Sequence, residues 1–240
     1  MSSGIVIIPT YNEIENIESI VRAVFSLEKT FHILIVDDNS PDGTAQKVVE
    51  LQTEFSEKLF LEVRKKKSGL GTAYVHGFKW ALQRNYEFIF EMDADFSHNP
   101  KDLERLHEAC VNGADLAVGS RYVTGVNVVN WPLSRVLLSY FASVYVRMIT
   151  GMKIMDATAG FICYKKHVLE TINLDKIKFI GYAFQIEMKY RAFAKKFNIQ
   201  EVPVIFTDRT KGQSKMSGAI IKEAVFGVLS LRIKKFFNRL

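Results

Sequence analysis

The chain has 240 residues, 48% of them hydrophobic and 24% charged, a balance that excludes a largely disordered chain and permits a sizeable core. Its formal charge of +6 sits at one end: from Arg209 onward eight basic residues face one acid, Glu223, so that segment carries +7 and the rest −1. A local excess of this kind suits nucleic acid, an anionic membrane or a phosphorylated substrate.

The first half alternates strand and helix signals. Residues 5–8, Ile-Val-Ile-Ile, form a short apolar run stopped by Pro9, the pattern of a strand buried on both faces. Asn12 and Glu15 suggest a capping box for a helix carrying Ile17, Ile20, Val21 and Val24. Strands are expected at 32–36, 59–63, 88–92 and 116–118, with helices at 44–55, 71–84 and 100–111 between them. Such alternation implies right-handed crossovers and a mainly parallel sheet covered on both faces, an α/β fold. After Arg121 the spacing lengthens. Residues 133–149 carry apolar and aromatic side chains every three or four positions, the pattern of one or two amphipathic helices. A strand is expected within 159–164, a helix over 184–196, a strand over 200–206 and a second amphipathic helix over 217–237. The simplest organisation is one domain over 1–215, including the helix at 133–149, with a basic helical appendage over 216–240.

Three polar clusters follow the early strands: Thr10-Tyr-Asn-Glu13, Asp37-Asp38 and Asp93-Ala-Asp95. In open α/β sheets ligands bind beyond the carboxyl ends of the strands, so the clusters should share one edge. Asp93 and Asp95, two positions apart, point the same way from a strand end. Carboxylates that close repel unless a cation separates them, and Mg²⁺ or Mn²⁺ suits oxygen ligands and substrate phosphates. Asp37 and Asp38 fit either a turn or a hydrogen bond to a base or ribose. Tyr11 fits stacking on a base or packing on the first helix. Lys65-Lys66-Lys67 reads as a solvated loop, and Gly69-Leu-Gly71-Thr72 matches no phosphate-loop template, although its helix N-terminus could still hold a phosphate. His98, close to Asp95, fits either a ligand contact or, more readily, a surface-loop histidine.

Other classes drop out. Cys110 and Cys163 offer neither metal spacing nor a disulfide framework and read as buried thiols. The five histidines lack zinc spacing. No nucleic-acid-binding motif accompanies the basic segment. Residues 1–9 lack a signal-peptide pattern. The longest uncharged stretch, 122–134, has 13 residues, short of the roughly 18 that a membrane span needs.

Seven motifs then stand in order. They are Ile-Pro-Thr-Tyr-Asn-Glu13, Val-Asp-Asp-Asn-Ser-Pro-Asp-Gly-Thr44, Gly-Leu-Gly-Thr-Ala-Tyr74, Met-Asp-Ala-Asp-Phe-Ser-His-Asn-Pro100, Gly-Ser-Arg-Tyr122, Gly-Tyr-Ala-Phe-Gln-Ile-Glu187 and Glu-Val-Pro-Val-Ile-Phe206. Asp208-Arg209 and Gly-Gln-Ser-Lys215 follow them. With them the chain resembles family 2 glycosyltransferases of the GT-A (Rossmann-like) fold, and more narrowly the dolichol-phosphate, or polyprenol-phosphate, mannose synthases. The resemblance implies that Pro9, Tyr11, Glu13, Val36 and Asp38 hold the nucleotide base and ribose. It implies that Asp93 and Asp95 bind Mg²⁺ or Mn²⁺ on the donor diphosphate, with backbone contacts at Ala94. Ser97 stands where some relatives carry a further ligand, so two-point anchoring is expected. Arg121, Arg135, Arg209 and Lys215 match cationic positions facing the donor diphosphate and the acceptor phosphate. Asp95, Arg121 and Arg135 are the implied catalytic residues. Roles for Asp156 and Glu187 stay open between catalysis and structural hydrogen bonding.

The implied reaction moves mannose from GDP-mannose to a polyprenyl monophosphate, with inversion at the anomeric carbon. The same fold acting on UDP-glucose or UDP-N-acetylglucosamine, or an inactive membrane-bound scaffold, are the alternatives. Relatives often append transmembrane helices that this chain lacks. The expected location is therefore peripheral, on the cytoplasmic side of a membrane. Both amphipathic helices would lie in the interface, and a partner protein could add anchoring.

Overall fold

The computed structural model describes residues 3–181, 183–208 and 227–233. Strand β1 (Gly4–Thr10) pairs in parallel with β2 (His32–Asp37) on one side and β4 (Phe88–Glu91) on the other. Beyond β2 lies β3 (Leu59–Val63); beyond β4 come β7 (Ile162–Lys165), β5 (Leu116–Ser120) and β8 (Ile199–Pro203). Strand β7 is antiparallel to both its neighbours, and every other pairing in this seven-stranded sheet is parallel. The mainly parallel α/β sheet expected from the sequence is thus present, with one reversed strand inside it.

Side-chain alternation explains why residues 5–8 are apolar throughout. Val6 and Ile8 enter one core with α1 (Ile17–Phe25), α2 (Thr44–Glu54) and α4 (Asp102–Val111). Ile5 and Ile7 enter the opposite core with α3 (Leu70–Gln83), α6 (Lys166–Thr171) and α7 (Ala183–Ala194). A strand with helices on both faces has no polar side to show. Cys110 and Cys163 are buried free thiols of the first core.

Two local expectations are corrected. No capping box forms at Asn12: the helix starts only at Ile17, without a side-chain cap. The loop before it is pinned elsewhere. The Asn12 N–H donates to Ser40 Oγ at 3.0 Å, Glu13 N–H to Thr44 Oγ1 at 3.0 Å, and Ile14 N–H to Asp42 Oδ2 at 3.1 Å. Asn12 takes φ +58°, a left-handed conformation that asparagine tolerates. The strand expected over 200–206 is also two. Pairing in β8 ends at Pro203, and β9 (Phe206–Thr207) joins β6 (Val128–Val129) in a separate ribbon.

Helix α5 (Leu133–Thr150) is continuous, and its polarity is inverted. Ser143, Val146 and Thr150 are buried, whereas Leu133 is 71% exposed, Phe141 60% and Met148 78%. With Leu137 these exposed residues share one stripe at helical spacing. Of the predicted C-terminal helix, residues 227–233 are helical, and the remainder lies outside the described residues. Val228 and Leu231 pack with Val146, Met152, Ile154 and Tyr190, while Leu229 and Ile233 stay exposed. Among the described residues no helix is long and apolar enough to cross a membrane.

Packing between α3 and β1 leaves no room at Gly77, where an added Cβ would lie 2.6 Å from Ile7 Cγ2. Gly77→Ala should therefore destabilise the fold by about 1–3 kcal/mol through overpacking, despite the better helix propensity of alanine. Urea unfolding checks this, and Ile7→Ala should cost less in the Gly77→Ala background than alone.

Candidate active site

The chain runs outward from β1 through β2 to β3, then returns to β4 on the other side of β1. That reversal creates a crevice at the carboxyl ends of β1 and β4. The three polar clusters meet there, as their positions after the strands predict. Thr10 Oγ1 donates to Asp37 Oδ2 at 3.0 Å, and Asp38 N–H donates to the Thr10 carbonyl at 3.0 Å. Met92 N–H donates to the Ile7 carbonyl, so β4 is held against β1 up to the residue before Asp93.

The two adjacent aspartates divide their work. Asp37 is wholly buried and accepts Ser40 N–H as well as Thr10 Oγ1, so it shapes the loop. Asp38 is paired to Arg64, whose Nε lies 2.5 Å from Asp38 Oδ1. Arg64 Nη1 also donates to Thr72 Oγ1 at 2.8 Å, tying the end of β3 to the start of α3. Sequence reasoning did not single out Arg64, an isolated arginine beside a lysine run. Lys65, Lys66 and Lys67 are exposed, as expected, and the Lys67 ammonium lies 4.3 Å from the Tyr11 ring centroid. Pro9 is half-buried, and the Val36 side chain is fully buried in the core, so any Val36 contact to a nucleotide is through its backbone. Glu13 Oε2 accepts from Asn16 Nδ2 at 2.9 Å.

Around the Asp-Ala-Asp turn the donors are specific. Ser97 N–H donates to Asp95 Oδ1 at 3.0 Å, and Tyr74 O–H donates to Asp93 Oδ1 at 3.4 Å. Ala94 is buried. Phe96 takes φ +59°, a strained conformation for an aromatic residue and of the kind that clusters at functional sites. His98 is not on the surface: it is 4% exposed and stacked on Phe161 at 4.8 Å between ring centroids. Burial lowers its pKa to about 4. Its neutral Nδ1 accepts the Asp93 N–H at 3.2 Å, so His98 buttresses the turn. Among the described residues no group of three or more His, Cys, Asp or Glu could hold a metal. Two hard carboxylates fit Mg²⁺ or Mn²⁺, which take one or two protein carboxylates and complete their shell with substrate phosphate and water.

A buried polar layer lies behind this turn. Gln185 Nε2 donates to Glu91 Oε2, and Lys189 Nζ donates to the Ala159 carbonyl at 2.6 Å. Burial raises the Glu91 pKa to about 7 and lowers that of Lys189 to about 8. Glu187, whose role the sequence leaves open, makes hydrogen bonds within the fold. It holds Arg191 at 2.7 Å and accepts the N–H groups of Lys178 and Phe179 at 3.0 and 3.2 Å.

The cationic side is built around Trp131. The Arg135 guanidinium carbon lies 4.0 Å and that of Arg121 5.4 Å from its ring centroid, within cation–π range. Arg135 Nη1 also donates to Asp208 Oδ1 at 2.7 Å. Arg121 is gripped by Asp156 through its backbone N–H (2.9 Å), Nε (2.7 Å) and Nη2 (2.6 Å). Burial pushes the Asp156 pKa up, but the Arg121 charge and these hydrogen bonds prevail and hold it below the usual carboxylate value. Arg209 and Lys215 lie outside the described residues. Asp156 escaped assignment because its partner Arg121 is 35 residues away.

The family profile described as "Glycosyl transferase family 2" matches residues 5–172. The chain is similar to the polyprenol monophosphomannose synthase of Mycolicibacterium smegmatis, 47% identical over 98% of this chain and 89% of the relative. It is similar to the undecaprenyl-phosphate mannosyltransferase of Micrococcus luteus, 45% identical over 92% and 90% of the two chains. In fold it is similar to glucosyl-3-phosphoglycerate synthase from Mycobacterium tuberculosis, solved with Mn²⁺, UDP and glucosyl-3-phosphoglycerate. There the TM-score is 0.68 at 14% identity, over 96% of this chain and 78% of that one. With a GT-A-type mainly parallel sheet and its polar clusters gathered at the switch point, the chain belongs to glycosyltransferase family 2 and is a glycosyltransferase.

Proposed function

We propose that this glycosyltransferase moves mannose from GDP-mannose to a polyprenyl monophosphate at a membrane surface. The observation that carries the reading is the position of Arg135. It stands in the first turn of α5, beside Trp131 and Arg121, on the helix whose exposed stripe is apolar. A cationic site and an outward apolar face on one element suit an acceptor with a phosphate head and a hydrocarbon tail. The names of the two mannosyltransferase relatives support the sugar and the acceptor class.

The guanine nucleotide would lie across the ends of β1 and β2, near Tyr11, Glu13 and Asp38. Asp93 and Asp95 would hold a divalent metal, which when bound would stabilise the negative charge of the leaving diphosphate. The acceptor phosphate is already anionic at neutral pH, so it needs orientation more than a general base. Arg135, with Arg209 and Lys215 from the basic segment, would position it. A phosphate oxygen forms the bond to the anomeric carbon as the bond to the diphosphate oxygen breaks. The electron pair leaves with GDP, and the centre inverts. Arg121 would stabilise charge on the departing diphosphate. The basic appendage over 216–240 and the α5 stripe would keep the enzyme at the cytoplasmic face of the bilayer, with or without an anchoring partner.

Two measurements test this. With short-chain polyprenyl phosphate, only GDP-mannose among GDP- and UDP-sugars should give a lipid product by mass spectrometry. Asp95→Ala should lower its rate at least about 100-fold; full activity in that variant removes the metal reading, and preference for a UDP-sugar removes the donor. Replacing Leu137, Phe141 and Met148 together by Ser should weaken sedimentation with anionic vesicles at least about tenfold. Because these side chains are exposed, the melting temperature should hold. Unchanged vesicle binding removes α5 from the membrane contact.

A further inference from the structure

Arg121 does not reach its place on its own. Its grip by Asp156 depends on where residues 155–156 lie, and that is set from β8. Both carboxylate oxygens of Glu201 are engaged there: Oε2 accepts the Met155 N–H at 2.7 Å and Oε1 the Asp156 N–H at 2.9 Å. Strand β8 is paired in parallel with β5, Glu201 opposite Val118, and β5 ends at the residue before Arg121. A closed circuit results, from β5 through Arg121 to Asp156, to Glu201 and back to β5. Asp156 is fully buried, and Thr158 Oγ1 takes a further Arg121 Nη2 hydrogen bond at 2.8 Å.

We infer that Glu201 and Asp156 are positioning residues for transfer, acting through Arg121. The inference rests on the proposed role of Arg121 at the departing diphosphate. Glu201 faces two backbone donors and supplies two acceptor oxygens. Glutamine at 201 keeps one acceptor and turns an amide N–H₂ towards the other backbone N–H, so the loop must shift and carry Asp156 with it. A guanidinium displaced by a fraction of an ångström stabilises developing charge less well, and a shift of about 1 Å at a positioned group costs about 100-fold in rate.

The test is a double-mutant cycle on the full chain, reading mannose transfer from GDP-mannose to short-chain polyprenyl phosphate. Arg121→Lys keeps the charge and loses the fork, and should lower kcat by about 100-fold. Glu201→Gln should lower kcat by about tenfold with KM for GDP-mannose within about twofold, the pattern of an interaction strengthened in the transition state. The double variant should be no slower than Arg121→Lys alone, within about twofold, because a lysine there lacks the fork through which Asp156, set by Glu201, orients the charge. Circular dichroism melts verify that each variant folds. Asp156→Asn serves as a second probe and should reproduce the Glu201→Gln pattern. If Arg121→Lys is impaired but Glu201→Gln keeps wild-type kcat, or the two losses multiply, the positioning inference is overturned and the role of Arg121 survives. If Arg121→Lys keeps wild-type kcat, both are overturned.

Discussion

The parallel register of β1 with both of its neighbours is the constraint on which the site depends. Pairing of Thr10 with Asp37 and of Ile7 with Glu91 aligns the carboxyl ends of β1, β2 and β4. The chain can then place Tyr11, Asp38 and Asp93 around one crevice with no long loop. Side chains at 5–8 must be apolar on both faces to hold that register, because helices cover both sides. The Thr10–Asp37 hydrogen bond is the first polar contact beyond this apolar stretch, and it marks the boundary between core and site.

Beyond the boundary the fold accepts buried charge. Glu91, Lys189, Asp156, Arg121, Glu187 and Arg191 are all buried. Pairs of this kind rarely add net stability over an apolar core, but losing one partner is costly. Their use is directional. The Glu187–Arg191 pair fixes the segment before α7, and Asp156 fixes Arg121, which reaches both the Trp131 and Phe206 rings. Burial in this layer lowers the pKa of Lys189 to about 8 and raises that of Glu91 to about 7.

Sequence periodicity and strand-end chemistry made most of the first half legible. Strand β3 matched its expected residues, and α2 and α4 fell within one or two residues of theirs. The convergence of Asp38, Asp93 and Asp95 followed from topology alone. What escaped has a common cause: it depends on pairs distant in the chain. The Arg64–Asp38 contact spans 26 residues, Arg121–Asp156 spans 35 and Glu201–Asp156 spans 45. His98 was misread because a polar motif looks exposed, and nothing local announces that Phe161 will cover its ring. The Asn12 capping box failed for the same reason, since the Asn12 N–H that Glu15 would have accepted is taken by Ser40.

Helix α5 shows how the remaining ambiguity resolves. Its sequence permits an apolar face turned to the core or to the outside. The buried face carries Ser143 and Thr150, and Thr150 Oγ1 donates to the Val146 carbonyl of its own helix. The larger apolar side chains go outward, against the usual direction of burial. An exposed stripe of this kind costs solvation free energy that the fold could have avoided by rotating the helix. The helix cannot rotate without withdrawing Arg135 from Trp131 and Asp208. One helix thus couples the cationic site to the apolar exterior.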